Sequence, residues 1–244
     1  MTVTYLRLEL LRTYRNIRYL IFTLGIPVVL FLVIGGAFEG SVFGISGQTW
    51  YMINMATFGA FGAVLGVGAR IAVERDAGWN RQLRLTPLPP QGYVIGKVVV
   101  GMLLALPSLL LVCAAGRLTG DVELSGVQWA QVIGLGWLAV LPMAAVGVGL
   151  GYLARGDTAQ AVNGGVVMLM SMFGGVWFPV DDSSPAWIRT LADAMPTYWI
   201  TQIARAPLTH DWPQIGGWLV LAAWTLVGIR VAARRYLADD LRAA

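Results

Sequence analysis

The sequence predicts an all-α integral membrane protein with six transmembrane helices. Three observations predict it. Only 12% of the 244 residues are charged and 57% are hydrophobic, against about a quarter charged in a soluble domain. The charges cluster, leaving six apolar stretches near the roughly 20 residues needed to cross hydrocarbon. Threading six spans also sorts Lys and Arg almost wholly to one side. The chain reads as one transmembrane domain over 1–244.

The spans fall at about 19–38, 50–69, 98–116, 129–153, 159–178 and 214–231. Long unalternating runs favour helices over barrel strands. The first span lacks a small-residue cleavage site, so it reads as a retained span. Short cytoplasmic loops collect Lys and Arg. With the N-terminus inside, Arg7, Arg12, Arg15, Arg18, Arg70, Arg75, Arg81, Arg84, Lys97, Arg155, Arg230, Arg234, Arg235 and Arg242 lie inside. Only Arg117, Arg189 and Arg205 lie outside. The expected location is therefore a bacterial cell membrane, crossed several times, with both termini cytoplasmic. Dispersed arginines give no nucleic-acid surface.

Residues 1–18 read as an amphipathic helix. Leu6, Leu10, Tyr14 and Ile17 recur at helical spacing while the arginines fall mostly elsewhere. Such a helix lies in the membrane interface; plain positive-inside anchoring is the simpler alternative. The loop 70–97 follows. A helix over about 73–85 is weakened by Gly78 and stopped by the prolines beginning at Pro87. It offers Trp79, Leu83 and Leu85 either to a partner's groove or to the membrane surface.

The outer segment 179–213 is rich in proline and aromatics. Ser184 is expected to cap a helix with Pro185 in its first position, and Pro196 to open a second. Trp177, Trp187, Tyr198, Trp199 and Trp212 mark the headgroup level. Two such short helices suggest a re-entrant hairpin, whose broken backbone must be covered by protein; an aromatic-belt loop is the plainer reading.

Catalytic chemistry is hard to find. Gly92 to Val98 is one residue short of a phosphate-binding loop and lacks its Ser/Thr. His210 has no metal-ligand partners at useful spacing. Asp181 and Asp182 are adjacent and suit a solvated turn. Cys113, the sole cysteine, reads as an inert packing residue. No metal, cofactor or enzymatic activity is expected of this chain. Gln160, Asn163, Asn54 and Thr57 are the polar residues of the spans, suited to helix-to-helix hydrogen bonds or to substrate contact. Gly62-x-x-x-Gly66 and Gly147-x-x-x-Gly151 permit close helix packing.

Two stretches carry a family resemblance. Glu74-Arg-Asp-Ala-Gly78, then Leu83 and Thr86-Pro87-Leu88-Pro89, resembles a coupling-helix loop. Gly175-Val-Trp177-Phe178-Pro179, then Pro185-Ala-Trp187 and Pro196-Thr-Tyr198-Trp199, resembles a signature after a fifth span. The chain is similar over nearly its whole length to the permease subunit of type-2 ABC exporters, the daunorubicin-resistance and nodulation group. Gly174-Gly175 stands where relatives often carry Ser-Gly.

The resemblance implies a dimer with a second copy or a paralogue. It implies a separate cytoplasmic ABC ATPase carrying ATP and magnesium, met by Glu74, Arg75, Gly78, Trp79 and Leu83. It implies a path between subunits along the first, second and fifth spans, where span position suggests Asn54, Phe58, Phe61, Asn163 and Phe173. Trp177, Phe178, Pro179, Pro185, Trp187, Pro196, Tyr198 and Trp199 would form the outer gate. The expected cargo is a hydrophobic or amphipathic molecule, an antibiotic or a lipid. Export of a lipid-linked glycan and a non-transporting scaffold or sensor are the alternatives.

Overall fold

The computed structural model describes residues 2–79, 90–119, 122–156 and 158–243. Helix α1 runs Thr2–Tyr14 and α2 Ile17–Leu20. A π-helical turn, Ile21–Gly25, leads into α3, Ile26–Ile34. Pro27 has no N–H to return to the preceding turn, and a wider turn just before it accommodates that loss. Strands β1, Ser41–Val42, and β2, Ile45–Ser46, form an antiparallel hairpin. Its turn holds Phe43 and Gly44 at φ 53° and 81°, the paired positive φ of a tight hairpin turn. This small hairpin is an addition to a fold that is otherwise helical, as expected.

Among the described residues, four helices are long and apolar enough to cross a membrane, and two more apolar helices are shorter. Helix α4, Gly47–Asp76, starts at Ser46, whose hydroxyl accepts from the Thr49 N–H at 3.1 Å. Helix α5 spans Pro90–Thr119. Helices α6, Gly126–Ala139, and α7, Met143–Leu153, are one apolar run broken at Pro142. The missing proline donor is absorbed by three-residue bonds, from Leu141 to Leu138 (3.1 Å) and from Met143 to Val140 (3.0 Å). A reciprocal Ser125–Gln128 box starts α6.

Helix α8, Ala159–Phe173, has 15 residues, about 22 Å of rise. It ends five residues before the expected 178. Gly174 caps it and Gly175 turns at φ 67°. Helices α9, Ala186–Ala194, and α10, Pro196–Thr209, follow, then α11, Ile215–Ala243. Pro196 opens α10 as expected. Ser184 does not cap α9: its hydroxyl accepts from the Asp181 N–H at 3.2 Å, and Pro185 itself stands at the N-cap. Two Ser183 donors on the Asp181 carboxylate, followed by Ser184, hold that carboxyl below its usual range.

Helix α4 is the axis of the bundle. It packs against α3, α5, α6, α7, α8 and α10. Its most apolar stretch is 78% buried, against 17% in α11, which rests mainly on α7. The closest crossing is glycine on glycine. A Cβ on Gly151 would lie 2.6 Å from the Gly68 carbonyl oxygen, and one on Gly68 would strike the Gly147 carbonyl. The Gly147–Gly151 pair thus does what its spacing suggests. Gly62 and Gly66 do not share a seam: Gly66 makes room for Tyr19, and Gly62 meets only Val167 at 3.9 Å.

Candidate coupling site

The end of α4 is tied down on three sides. Each residue of its last turn points to a different neighbour. Glu74 is 4% exposed and faces α1 and α5. Its Oε1 receives Lys97 Nζ at 2.6 Å and an Arg12 nitrogen at 2.9 Å, while Oε2 accepts the Tyr93 hydroxyl at 2.7 Å. Arg75 turns the other way, donating to the Gly151 carbonyl at 3.0 Å and lying over the Tyr152 ring at 4.9 Å. Asp76 accepts from the Gly156 N–H in the segment after α7.

Lys97 is the centre of the cluster. It is 1% exposed, yet it pairs with both Glu74 and Glu9. A buried charge is tolerable only when paired and hydrogen-bonded. Lys97 comes from the second turn of α5 and Glu9 from α1, so one ammonium joins three helices. Lys97 also lies 5.4 Å from the centre of the Tyr93 ring. Tyr5 of α1 stands 6.3 Å from Tyr93. Burial, then the Glu9 and Glu74 carboxylates, raises the Tyr5 phenol well above its ordinary range. Arg70, one α4 turn before Glu74, donates to the Thr13 hydroxyl at 2.6 Å and the Tyr19 hydroxyl at 3.2 Å.

This cluster revises the expected coupling residues. The helix expected over about 73–85 does not start at 73: the chain there is still α4, and Trp79 is helical again at the edge of the described residues. Helix α4 continues to Asp76, Ala77 bonds back to Val73, and Gly78 ends the turn at φ 73°. Only glycine adopts that φ without strain. Glu74 is buried and Arg75 half-buried, and both are bonded to neighbouring helices. Trp79, by contrast, is 38% exposed. Leu83, Leu85 and Thr86 to Pro89 lie outside the described residues.

The expected path residues divide into two sets. Asn54 and Phe61 are 0% and 1% exposed, because helices surround α4 on nearly every side. As placed here, they are sealed within one subunit rather than on a face a second copy could line. Neither amide atom of Asn54 has a hydrogen-bond partner, and Asn163 Oδ1 also lacks one. Asn163 is 6% exposed. Phe58 is half-buried and meets Trp177 edge-on at 5.4 Å, and Phe173 is exposed. The structure therefore joins one of the expected path residues to one of the expected gate residues.

The residues expected at the outer gate are similarly divided. Phe178 and Trp187 are exposed; so is Pro185, and Pro179 is half-buried. Pro196 is buried, and Tyr198 packs edge-on against Trp199 at 5.0 Å. The Trp199 indole donates to the Asp193 carbonyl at 2.8 Å, tying α10 to α9. Helix α10, about 21 Å long by its 14 residues, is largely buried against α4 and α6. The Thr197 hydroxyl donates to the Met170 carbonyl, which also fixes where α8 ends.

Three residues escaped the sequence reading. Glu9 is the only acid among residues 1–18, four positions from both Tyr5 and Thr13, and that placement was the available signal. Lys97 stood just before the expected third span, but α5 begins at Pro90, so Lys97 lies inside a helix. Arg205 was placed in an outer loop. It is 4% exposed, with its guanidinium 4.6 Å above the Phe43 ring. The sequence offers no evident pointer to that stacking.

Among the described residues, no group of three or more metal-ligand side chains converges. Comparison with known proteins agrees with the membrane-subunit reading. The protein of Bacillus subtilis (strain 168) named "Putative transport permease YvfS" is 26% identical over 196 residues, covering 78% of each chain. The family described as ABC-2 type transporter matches residues 2–208. With that match across most of a chain whose apolar helices surround a buried axis, the protein belongs to the ABC-2 type transporter family.

Proposed function

We propose that the chain is one half of a dimeric exporter in a bacterial cell membrane. It spans six times with both termini cytoplasmic, and moves a hydrophobic or amphipathic molecule, such as an antibiotic or a lipid, outward. A separate cytoplasmic ABC ATPase binds ATP and magnesium and supplies the energy. The observation that carries this reading is the clamp around Glu74 and Lys97. These residues stand on the two helices that flank residues 77–89. A force on that loop is therefore delivered at once to α4, α5 and α1.

In this scheme Gly78, Trp79 and Leu83 meet the ATPase. Glu74 and Arg75 hold the helix end that bears them. The path runs between subunits past Phe58 and Phe173, and the hairpin of α9 and α10 forms the outer gate. Its second helix, α10, is largely buried in the bundle, while α9 lies mostly exposed beside it. Asn54, Phe61 and Asn163 become path residues only in a conformation that opens the bundle.

The test is reconstitution with the ATPase in vesicles, measuring ATP hydrolysis and transport of a fluorescent amphiphile together. The double substitution Trp79→Asp with Leu83→Asp, and separately Gly78→Pro, should separate the two activities. Proline fixes φ near −65°, opposite in sign to the observed 73° at Gly78. Transport coupled as in the wild type would overturn the assignment of this loop.

A further inference from the structure

A second polar feature adjoins the clamp and shares Glu9, Arg12 and Glu74 with it. A cavity of about 210 Å3 opens between α1, α2 and α4, with Gln160 of α8 on its far wall. Its polar lining includes Arg12, Asn16, Arg70 and Gln160. The charge balance here is uneven. Glu9 and Glu74 lie in the wall, but Lys97 bridges them and Arg12 also pairs with Glu74. Arg70 has no carboxylate partner among the described residues.

The Arg70 bonds leave its charge unanswered. Its two terminal nitrogens donate to Thr13 and Tyr19, which are neutral hydroxyls. Those hydroxyls spend their own protons on backbone carbonyls, Thr13 on Glu9 and Tyr19 on Ala63. The Arg70 Nε is buried and has no hydrogen-bond partner. A guanidinium so placed lacks the anion that its planar donor fork suits best. Other donors are at hand. The Asn16 carbonyl oxygen accepts from the Tyr19 N–H, leaving its amide nitrogen to donate. Gln160 is exposed and stands in the first turn of α8, whose N-cap Thr158 makes no side-chain capping bond. A helix start left uncapped adds positive potential.

We propose that this cavity binds a phosphate-type anion, held by Arg70 with Asn16, Gln160 and Arg12. Its volume admits a phosphate group and not a nucleotide. The α1–α4 junction lies beside the basic residues that sequence reading sets at the cytoplasmic interface, where anionic headgroups concentrate. A lipid headgroup and a free phosphate share this chemistry. The site does not depend on the transport scheme, because binding is read without turnover.

The experiment uses the full chain in lipid nanodiscs and in detergent. Native mass spectrometry measures retention of phosphatidylglycerol against phosphatidylcholine, and thermal unfolding measures the response to inorganic phosphate. Wild type should retain phosphatidylglycerol with a preference on the order of tenfold, the worth of one charge-assisted hydrogen bond. Preference without a response to phosphate assigns a lipid; a response to phosphate without lipid preference assigns a soluble anion. Arg70→Gln should abolish the effect. Should that variant fail to fold, Gln160→Glu places a repelling carboxylate at an exposed position and should abolish it too. Arg117→Gln, which removes an exposed charge elsewhere, should leave it intact. Anion selectivity in Gln160→Glu or Arg70→Gln equal to wild type overturns the site, as does wild type without selectivity in either arm.

Discussion

Replacing Lys97 by methionine tests the clamp most directly. The side chains are similar in length, so the substitution removes charge with little change in volume. It leaves Glu9 and Glu74 buried within reach of the same point. Glu74 keeps Arg12 and the Tyr93 hydroxyl. Glu9 has no other ion pair among the described residues. Side-chain exposures of 1% for Lys97, 5% for Glu74 and 7% for Glu9 leave little solvent to screen the loss. Removing one partner of a buried pair costs about 3–5 kcal/mol, and most of that should fall on Glu9. The assay is denaturant unfolding in mixed micelles, followed by the fluorescence of the ten tryptophans. A loss of that size shifts the unfolding equilibrium by at least about a hundredfold, since 1.4 kcal/mol is tenfold. Adding Glu9→Gln should recover more than half of the loss. Adding Glu74→Gln should recover less, because Arg12 then loses its acceptor. A Lys97→Met protein within about 0.5 kcal/mol of wild type, the ordinary range of surface substitutions, would refute the reasoning.

Four further outcomes are expected. Gly68→Val drives a side chain into the Gly147 backbone, and should cost at least about 1–3 kcal/mol with slower α4–α7 association by intramolecular cross-linking. Asn54→Leu removes a buried amide with no partners; unfolding should show a gain up to about 1–3 kcal/mol, while vesicle transport falls if the amide serves the path. Thr197→Val deletes the bond to the Met170 carbonyl and should cost about 1 kcal/mol, with faster hydrogen exchange at the end of α8. Gly78→Ala forces a Cβ into a positive φ and should cost roughly 1–2 kcal/mol, read by unfolding, with no lost contact because nothing lies within 4 Å of that Cβ.

What was legible in the sequence depended on period and composition. The apolar runs appear as helices near their expected positions, because a run of that length satisfies its backbone only as a helix in lipid. Pro196 opening α10 and the Gly147–Gly151 seam follow from local chemistry. Helix ends were less legible. The fifth apolar helix ends early where Gly174 and Gly175 turn the chain, and Thr197 holds that end from outside its own segment. Lys97 and Glu9 are 88 positions apart, so no window of sequence holds both. Their pairing exists only once α1 folds back on α5. The resemblance pointed to the segment after α4 and to its surface. It did not show that Glu74 is buried and Arg75 half-buried against the bundle, because a charged residue in a polar loop reads by default as solvated.

Helix α4 makes the inward-facing cluster consequential. It has 30 residues, about 45 Å of rise, and contains no proline. At one end Glu74 is locked to α1 and α5; nearer the other, Phe58 meets Trp177 before the α9–α10 hairpin. Between them, Gly68 fixes α7 at backbone contact, so close packing leaves little room for sideways bending. A rod held in this way transmits displacement better than it absorbs it. The weak points are elsewhere: the π-helical turn before Pro27, the break at Pro142, and the Gly174–Gly175 turn. Motion started at the loop after Asp76 should therefore move α4 as a unit and bend its neighbours at those three places. Spin labels on exposed Val33 and Leu138, beyond two of the bends, should change separation from a label at Val73 when the loop is engaged. Equal separations in both states would mean that the bundle does not carry the motion along α4.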